Sequence, residues 1–143
     1  NFSIYNFESY DVTGSAGNDT IFTGNGADVV RGGAGIDQLR SMGGDDLLYG
    51  GAGDDDLRGG EGVDVLYGGE GDDYLEGGDL VGGNTLYGEG GDDTVRSFSL
   101  SDAVYGGTGY DLLSMNYNHL TTGVDLDLTV SIDRMAKFKN WFK

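Results

Sequence analysis

Between residues 14 and 114 an aspartate returns at a fixed interval, and holding cations is the chemistry that such a column of carboxylates can do. Set in register from Gly14, this stretch falls into eleven consecutive units, ten of nine residues and one, residues 77–87, of eleven. The sixth position reads Asp19, Asp28, Asp37, Asp46, Asp55, Asp64, Asp73, Asn84, Asp93, Asp102 and Asp111. The eighth is Ile21, Val30, Leu39, Leu48, Leu57, Leu66, Leu75, Leu86, Val95, Val104 and Leu113, apolar without exception. The fourth is Gly in every unit but one, where Leu100 stands. A unit that repeats one acid and one apolar residue needs both a core and a counter-charge, because carboxylates brought into register repel. A single Asp of this kind reads equally well as a solvated turn former; ten registered copies do not.

Composition narrows the partner. The chain of 143 residues carries a net charge of −17, and residues 14–114 hold 20 acids against four Arg, which puts −16 in the repeat. Such a surface repels nucleic acid and anionic lipid. With 29 Gly and clustered like charges the bare chain has the composition of a disordered one, so something outside the sequence must neutralise it. There is no Cys, which removes disulfides and thiolate metal sites and leaves oxygen ligands. His119 is the single His, next to Asn118 in a polar stretch, and reads as a surface residue. No nucleophile and base pairing, HExxH or phosphate loop is present, so the catalytic set is empty and the chain reads as a non-enzyme. No apolar run has the length of a membrane span, and the amino end shows no signal sequence. A first residue of Asn rather than Met suggests a monomeric fragment of something larger.

The elements that must position the aspartates follow from each unit's own pattern. Six glycine-rich residues predict a turn, and three residues such as Leu47, Leu48 and Tyr49 predict a short strand. Strand alternation sends position eight to one face and positions seven and nine to the other. Two units then make one coil of 18 residues, with two parallel sheets back to back and turns along two edges, an all-β architecture. Residues 1–13, with Phe2, Ile4, Phe7, Tyr10 and Val12, predict an N-terminal capping strand over an otherwise open sheet edge. Residues 115–143 predict a C-terminal cap. There Val124, Leu126, Leu128 and Val130 alternate as in a half-buried strand, and Ile132, Met135, Phe138 and Phe142 recur at helical spacing beside Arg134, Lys137, Lys139 and Lys143. Four cations with Trp141 and Phe142 are weak grounds for a membrane contact, so this tail reads as a cap docked on the last coil.

The units GGAGIDQLR, GGAGDDDLR, GGEGVDVLY, GGEGDDYLE and GGTGYDLLS fit the pattern GGxGxDxUx, and the stretch of 101 residues resembles the calcium-binding nonapeptide repeat of RTX (repeats-in-toxin) proteins. That resemblance implies an all-β, right-handed parallel β-roll, a secreted, extracellular protein, commonly exported by type I secretion, and an ion between turns of adjacent coils on one edge. It also implies the ligands: main-chain carbonyls of the first four positions and the two Asp side chains. Calcium takes about six to eight oxygens, carbonyl and carboxylate alike.

On the edge formed by odd-numbered units the implied set is Ser15, Gly17 and Asp19; Gly32, Gly33, Ala34, Gly35 and Asp37; Gly50, Gly51, Ala52, Gly53 and Asp55; Gly68, Gly69, Glu70, Gly71 and Asp73; Gly88, Gly90, Gly91 and Asp93; and Gly106, Thr108 and Asp111. On the even edge it is Gly24, Gly26 and Asp28; Ser41, Gly43, Gly44 and Asp46; and Gly59, Gly60, Glu61, Gly62 and Asp64. The even edge then degrades: two inserted residues and Asn84 disturb one turn, and Leu100 disturbs the next. Nine inter-turn sites are the geometric maximum, and about seven are expected to fill. Seven ions would bring +14 against −16.

The two sheets differ outside. Position nine of the even-turn strands is Arg31, Tyr49, Tyr67, Tyr87 and Tyr105, over Val29, Leu47, Val65, Thr85 and Ala103 at position seven. This tyrosine face reads either as cross-strand stacking covered by the tail or a neighbouring domain, or as a platform for a polysaccharide or protein partner. The leading function is a calcium-responsive structural module that folds outside the cell and supports the folding, secretion and stability of a larger protein. The alternative is a calcium-dependent adhesive or polysaccharide-binding module.

Overall fold

The computed structural model describes residues 2–3, 8–78 and 83–115. The cap strand and amphipathic helix expected after Met115, and the enlarged part of the turn at residues 79–82, lie outside the described residues. Thirteen strands follow one another: β1 (Phe2–Ser3), β2 (Asp11–Thr13), β3 (Thr20–Phe22), β4 (Val29–Ala34), β5 (Gln38–Arg40), β6 (Leu47–Ala52), β7 (Asp56–Gly60), β8 (Val65–Glu70), β9 (Tyr74–Gly78), β10 (Thr85–Gly90), β11 (Thr94–Ser97), β12 (Ala103–Thr108) and β13 (Leu112–Met115). Odd-numbered strands form one parallel sheet in chain order and even-numbered strands the other, so the chain alternates between sheets at every turn. Register is in phase with the repeat: Leu48 faces Leu66 and Leu57 faces Leu75, each 18 residues on.

Position eight builds the core. Val30, Leu39, Leu48, Leu57, Leu66, Leu75 and Leu86 are fully buried between the sheets, and Ile21 and Val95 close the row, with Val12, Val104 and Leu113 packed at its ends. Each such side chain contributes roughly 1.5–3 kcal/mol of transfer free energy. A single file of leucines is nevertheless a thin core for a chain with this much glycine and charge.

Two features depart from the sequence expectation. The strands of the even-turn sheet do not stop after three residues: β4, β6, β8, β10 and β12 run six, through the glycines that open the next unit. Gly51 pairs with both Gly33 and Gly69 because, without side chains, successive coils approach closely enough for the ladder to continue into the turn. At the amino end one capping strand was expected and two are present. β1 joins β3 and β2 joins β4, so each sheet gains a strand, and the Tyr10 main-chain N–H donates to Asp28 as a position-six residue would.

From Gly26 onward the described glycines at positions two and four sit at positive φ, as at Gly51 (φ 119°) and Gly53 (φ 120°), a region that glycine enters without penalty; Gly17 and Gly24 of the first two units do not. Glu89, the position-two residue of its unit, is the exception among the described residues, with φ 77°. A non-glycine residue pays about 1–2 kcal/mol there. Glu89→Gly is expected to raise calcium-saturated stability by about 0.5–1 kcal/mol, after allowing for the greater chain entropy of glycine; thermal melts of the two proteins in calcium check it.

Candidate metal centre

The position-six carboxylates are placed by one bond that recurs along both edges. Oδ1 of each accepts a hydrogen bond from the main-chain N–H of the position-six residue one coil earlier: Asp19 to Asp37 (2.8 Å), Asp37 to Asp55 (2.8 Å), Asp55 to Asp73 (2.8 Å), Asp73 to Asp93 (2.9 Å) and Asp93 to Asp111 (3.1 Å) on the odd edge. On the even edge Asp28 donates to Asp46 (2.8 Å), Asp46 to Asp64 (3.0 Å), Asp64 to Asn84 (2.8 Å) and Asn84 to Asp102 (2.9 Å). Oδ1 is thereby used as a strut between coils and the side-chain torsion is set, which leaves Oδ2 to face the turn.

Oδ2 is where a cation fits. In Asp28, Asp37, Asp55, Asp73 and Asp93 it is buried and has no hydrogen-bond partner, while the residues themselves are at most 3% exposed. A buried carboxylate oxygen left in this state costs heavily unless charge is brought to it. Those of Asp37, Asp55, Asp73 and Asp93 lie against the position-one glycine of their own unit, whereas Thr23 holds position one in the unit of Asp28. A methyl group on Gly68 would stand 2.8 Å from the Gly88 carbonyl oxygen and closer still to Asp73 Oδ2; one on Gly50 would stand 2.5 Å from the Gly68 carbonyl and closer to Asp55 Oδ2. Gly32 and Gly88 present the same pair, with Asp37 and the Gly50 carbonyl, and with Asp93 and the Gly106 carbonyl. Glycine at position one therefore keeps open a gap between a carboxylate oxygen and a carbonyl of the next coil. No three acidic side chains converge among the described residues. A cation in these gaps is a matter for carboxylates and main-chain carbonyls together, a donor set suited to calcium.

The remaining candidates divide. Carbonyls of Gly43, Ala52, Glu61, Glu70, Gly90 and Thr108, all at position three, accept from the position-four N–H one coil earlier, at 2.6–2.9 Å; each retains its second lone pair. Gly26, Gly33, Gly35, Gly44, Gly53, Gly60, Gly62, Gly69, Gly71 and Gly91 adopt positive φ. At the first odd turn Ser15 donates to Asp19 Oδ2 from both N (2.6 Å) and Oγ (2.8 Å), and these bonds hold its pKa below the ordinary range, while Gly14 faces the same pair of oxygens, Asp19 Oδ2 and the Gly32 carbonyl, as the later odd units. At Gly77 the group facing the gap is Asn84 Nδ2, 2.7 Å from where a methyl would stand, because Asn84 Oδ1 is taken by the Asp64 N–H. A donor there opposes a cation. The last even turn closes on itself, with Ser97 Oγ donating to Asp102 Oδ2 at 2.7 Å.

Position five was missed in the sequence. Oδ1 of Asn18, Asp45, Asp54, Asp72 and Asp92 accepts the N–H of the position-five residue one coil later, at 2.8–3.0 Å, a second ladder running opposite to the first. The signal was available: short Asx side chains recur there, and their habit is to bond nearby main chain. Together, Asp54, Asp72 and Asp92 line an acidic groove of about 360 Å³ above Asp55 and Asp73.

Burial dominates the protonation of the central acids. It pushes Asp73 up to about 7 and Asp55 and Asp93 to about 6, against hydrogen bonds from Asp55, Asp37 and Asp73 main chain respectively that pull the other way; neighbouring carboxylates add to the rise. Asp37 and Asp46 move in the same direction for the same first reason. Burial thus disfavours the charged form of these acids unless positive charge is brought to them.

A search of curated proteins found no match for the chain. The family model of the RTX calcium-binding nonapeptide repeat matches four times, over residues 11–39, 31–66, 49–79 and 81–113. With a parallel roll of 18 residues per coil and matches across most of its length, the chain belongs to the family of RTX calcium-binding repeat proteins.

Proposed function

We propose that this chain is a structural module that folds when it binds calcium outside the cell, and that it couples the folding and stability of a larger secreted protein to its exit. The observation that carries the reading is the row of buried Oδ2 atoms of Asp37, Asp55, Asp73 and Asp93, each without a partner beside a glycine-kept gap. Ions would be held by those carboxylates and by turn carbonyls, five along the odd edge and the rest at Asp28, Asp46 and Asp64, about seven in all. Bound calcium supplies the positive charge the column lacks. Because no gap exists in the unfolded chain, the binding free energy is folding free energy. Extracellular modules of weak oxygen sites work at roughly 0.1–1 mM calcium, far above the level inside a cell, so the same chain is open during export and closed afterwards.

The tyrosine column supports a strut rather than a platform. Tyr49, Tyr67, Tyr87 and Tyr105 stack face to face at 4.8–5.0 Å with interplanar angles of 6–9°, and Arg31 covers the first ring. Sugars pack on ring faces, and these faces are used within the column. Calorimetric titration of the chelator-treated chain is expected to give about seven ions taken up cooperatively. No heat and no uptake at millimolar calcium would remove the proposal.

A further inference from the structure

The glycine-kept gaps are defined by position one, and position one is not always glycine. On the even edge Thr23, Ser41 and Ser97 stand there, buried to 5%, 4% and 1% exposure; the Thr23 hydroxyl has no hydrogen-bond partner, while both serines bond across the gap. The serine Cβ atoms occupy the direction that glycine leaves empty, and their hydroxyls reach the two kinds of oxygen that wall the gap elsewhere. Ser41 Oγ donates to the Gly59 carbonyl at 2.8 Å, the position-one carbonyl of the next coil. Ser97 Oγ donates at 2.7 Å to Oδ2 of Asp102, the acid of its own unit.

From this we infer that the Ser41 hydroxyl stands in for a cation, so that the turn at residues 41–46 closes without calcium while the glycine-led turns require the ion. The inference rests on the calcium reading above. A hydroxyl that points its proton at Gly59 satisfies that carbonyl and blocks it from a metal, and its carbon and oxygen fill the space an ion would need. Asp46 Oδ2 itself accepts no hydrogen bond, so the Ser41 proton is committed to the carbonyl side of the gap. Ser97 shows the complete form of the exchange, in a turn where Leu100 has replaced the position-four glycine. Loading would then be uneven: continuous along the odd edge, where position one is glycine from Gly14 to Gly106, and interrupted at the second even turn. The expected count falls from about seven to about six.

Calcium stoichiometry of the wild-type chain, Ser41→Gly and Gly50→Ser, by calorimetry with equilibrium dialysis, tests this. Ser41→Gly is expected to bind one ion more than wild type and to gain more in melting temperature as calcium rises; Gly50→Ser is expected to bind one fewer. An unchanged count in Ser41→Gly overturns the inference, and so does a count lower by one, since Ser41 would then be a ligand. If Gly50→Ser does not fold, Ser41→Gly alone decides. A wild-type chain that binds no calcium fails differently, by removing the calcium reading itself.

Discussion

Chelation of calcium at pH 7.5 is expected to abolish the β-sheet signal in far-ultraviolet circular dichroism, and millimolar calcium to restore it. The size of the effect follows from mass action. A site at about tenfold its Kd contributes ~1.4 kcal/mol, so six to seven contribute ~8–10 kcal/mol, comparable to the whole stability of a domain this size. Protons should act in the opposite sense from one state to the other. In the metal-free coil Asp55, Asp73 and Asp93 are raised to about 6, 7 and 6 from an ordinary 3.8, chiefly by burial. A group whose folded pKa lies above its unfolded one stabilises fully below the unfolded value and ceases to do so as pH rises through the folded one. In chelator, therefore, sheet signal should return as pH is lowered from about 7 towards 4, while in limiting calcium the same acidification should displace the metal. A spectrum rich in sheet in excess chelator at pH 7.5 and unmoved by calcium would contradict the account.

Gly69→Ala is expected to be among the most damaging methyl groups in the roll. Gly69 lies at φ 123°, and a methyl added there would overlap the carbonyl oxygen of Gly51 one coil earlier. The cost is twofold: an alanine at positive φ, and a forced separation of two coils whose ladder, aspartate struts and metal gaps all depend on their spacing. A loss of more than ~2 kcal/mol and a severalfold rise in the calcium midpoint are expected. Gly83→Ala serves as the control, since the nearest atom to a methyl there is 3.6 Å away. Equal midpoints for the two variants would show that coil contact at position two is not what glycine protects.

A nine-residue period with an invariant apolar position and an acidic one determines, by itself, two strands per coil, their parallel order and the identity of the core, because only stacking in phase buries Leu39, Leu48, Leu57, Leu66 and Leu75 together. It also determines which residues share an edge. What it leaves undecided is the use of each oxygen. That Oδ1 of Asp55 is spent on the Asp37 N–H while Oδ2 is left open, that Asp54 and Asp72 form a counter-running ladder, and that Asn84 turns its amide nitrogen into the gap are consequences of contacts 18 or 20 residues apart. The stacked tyrosine rings are of the same kind: sequence placed them on one face, and only the spacing between coils turned their faces inward upon each other. Periodicity reports which side of a strand a residue occupies, whereas the partner of a single oxygen atom is decided by distances of a few tenths of an ångström between coils, and those exist only once the coils have stacked.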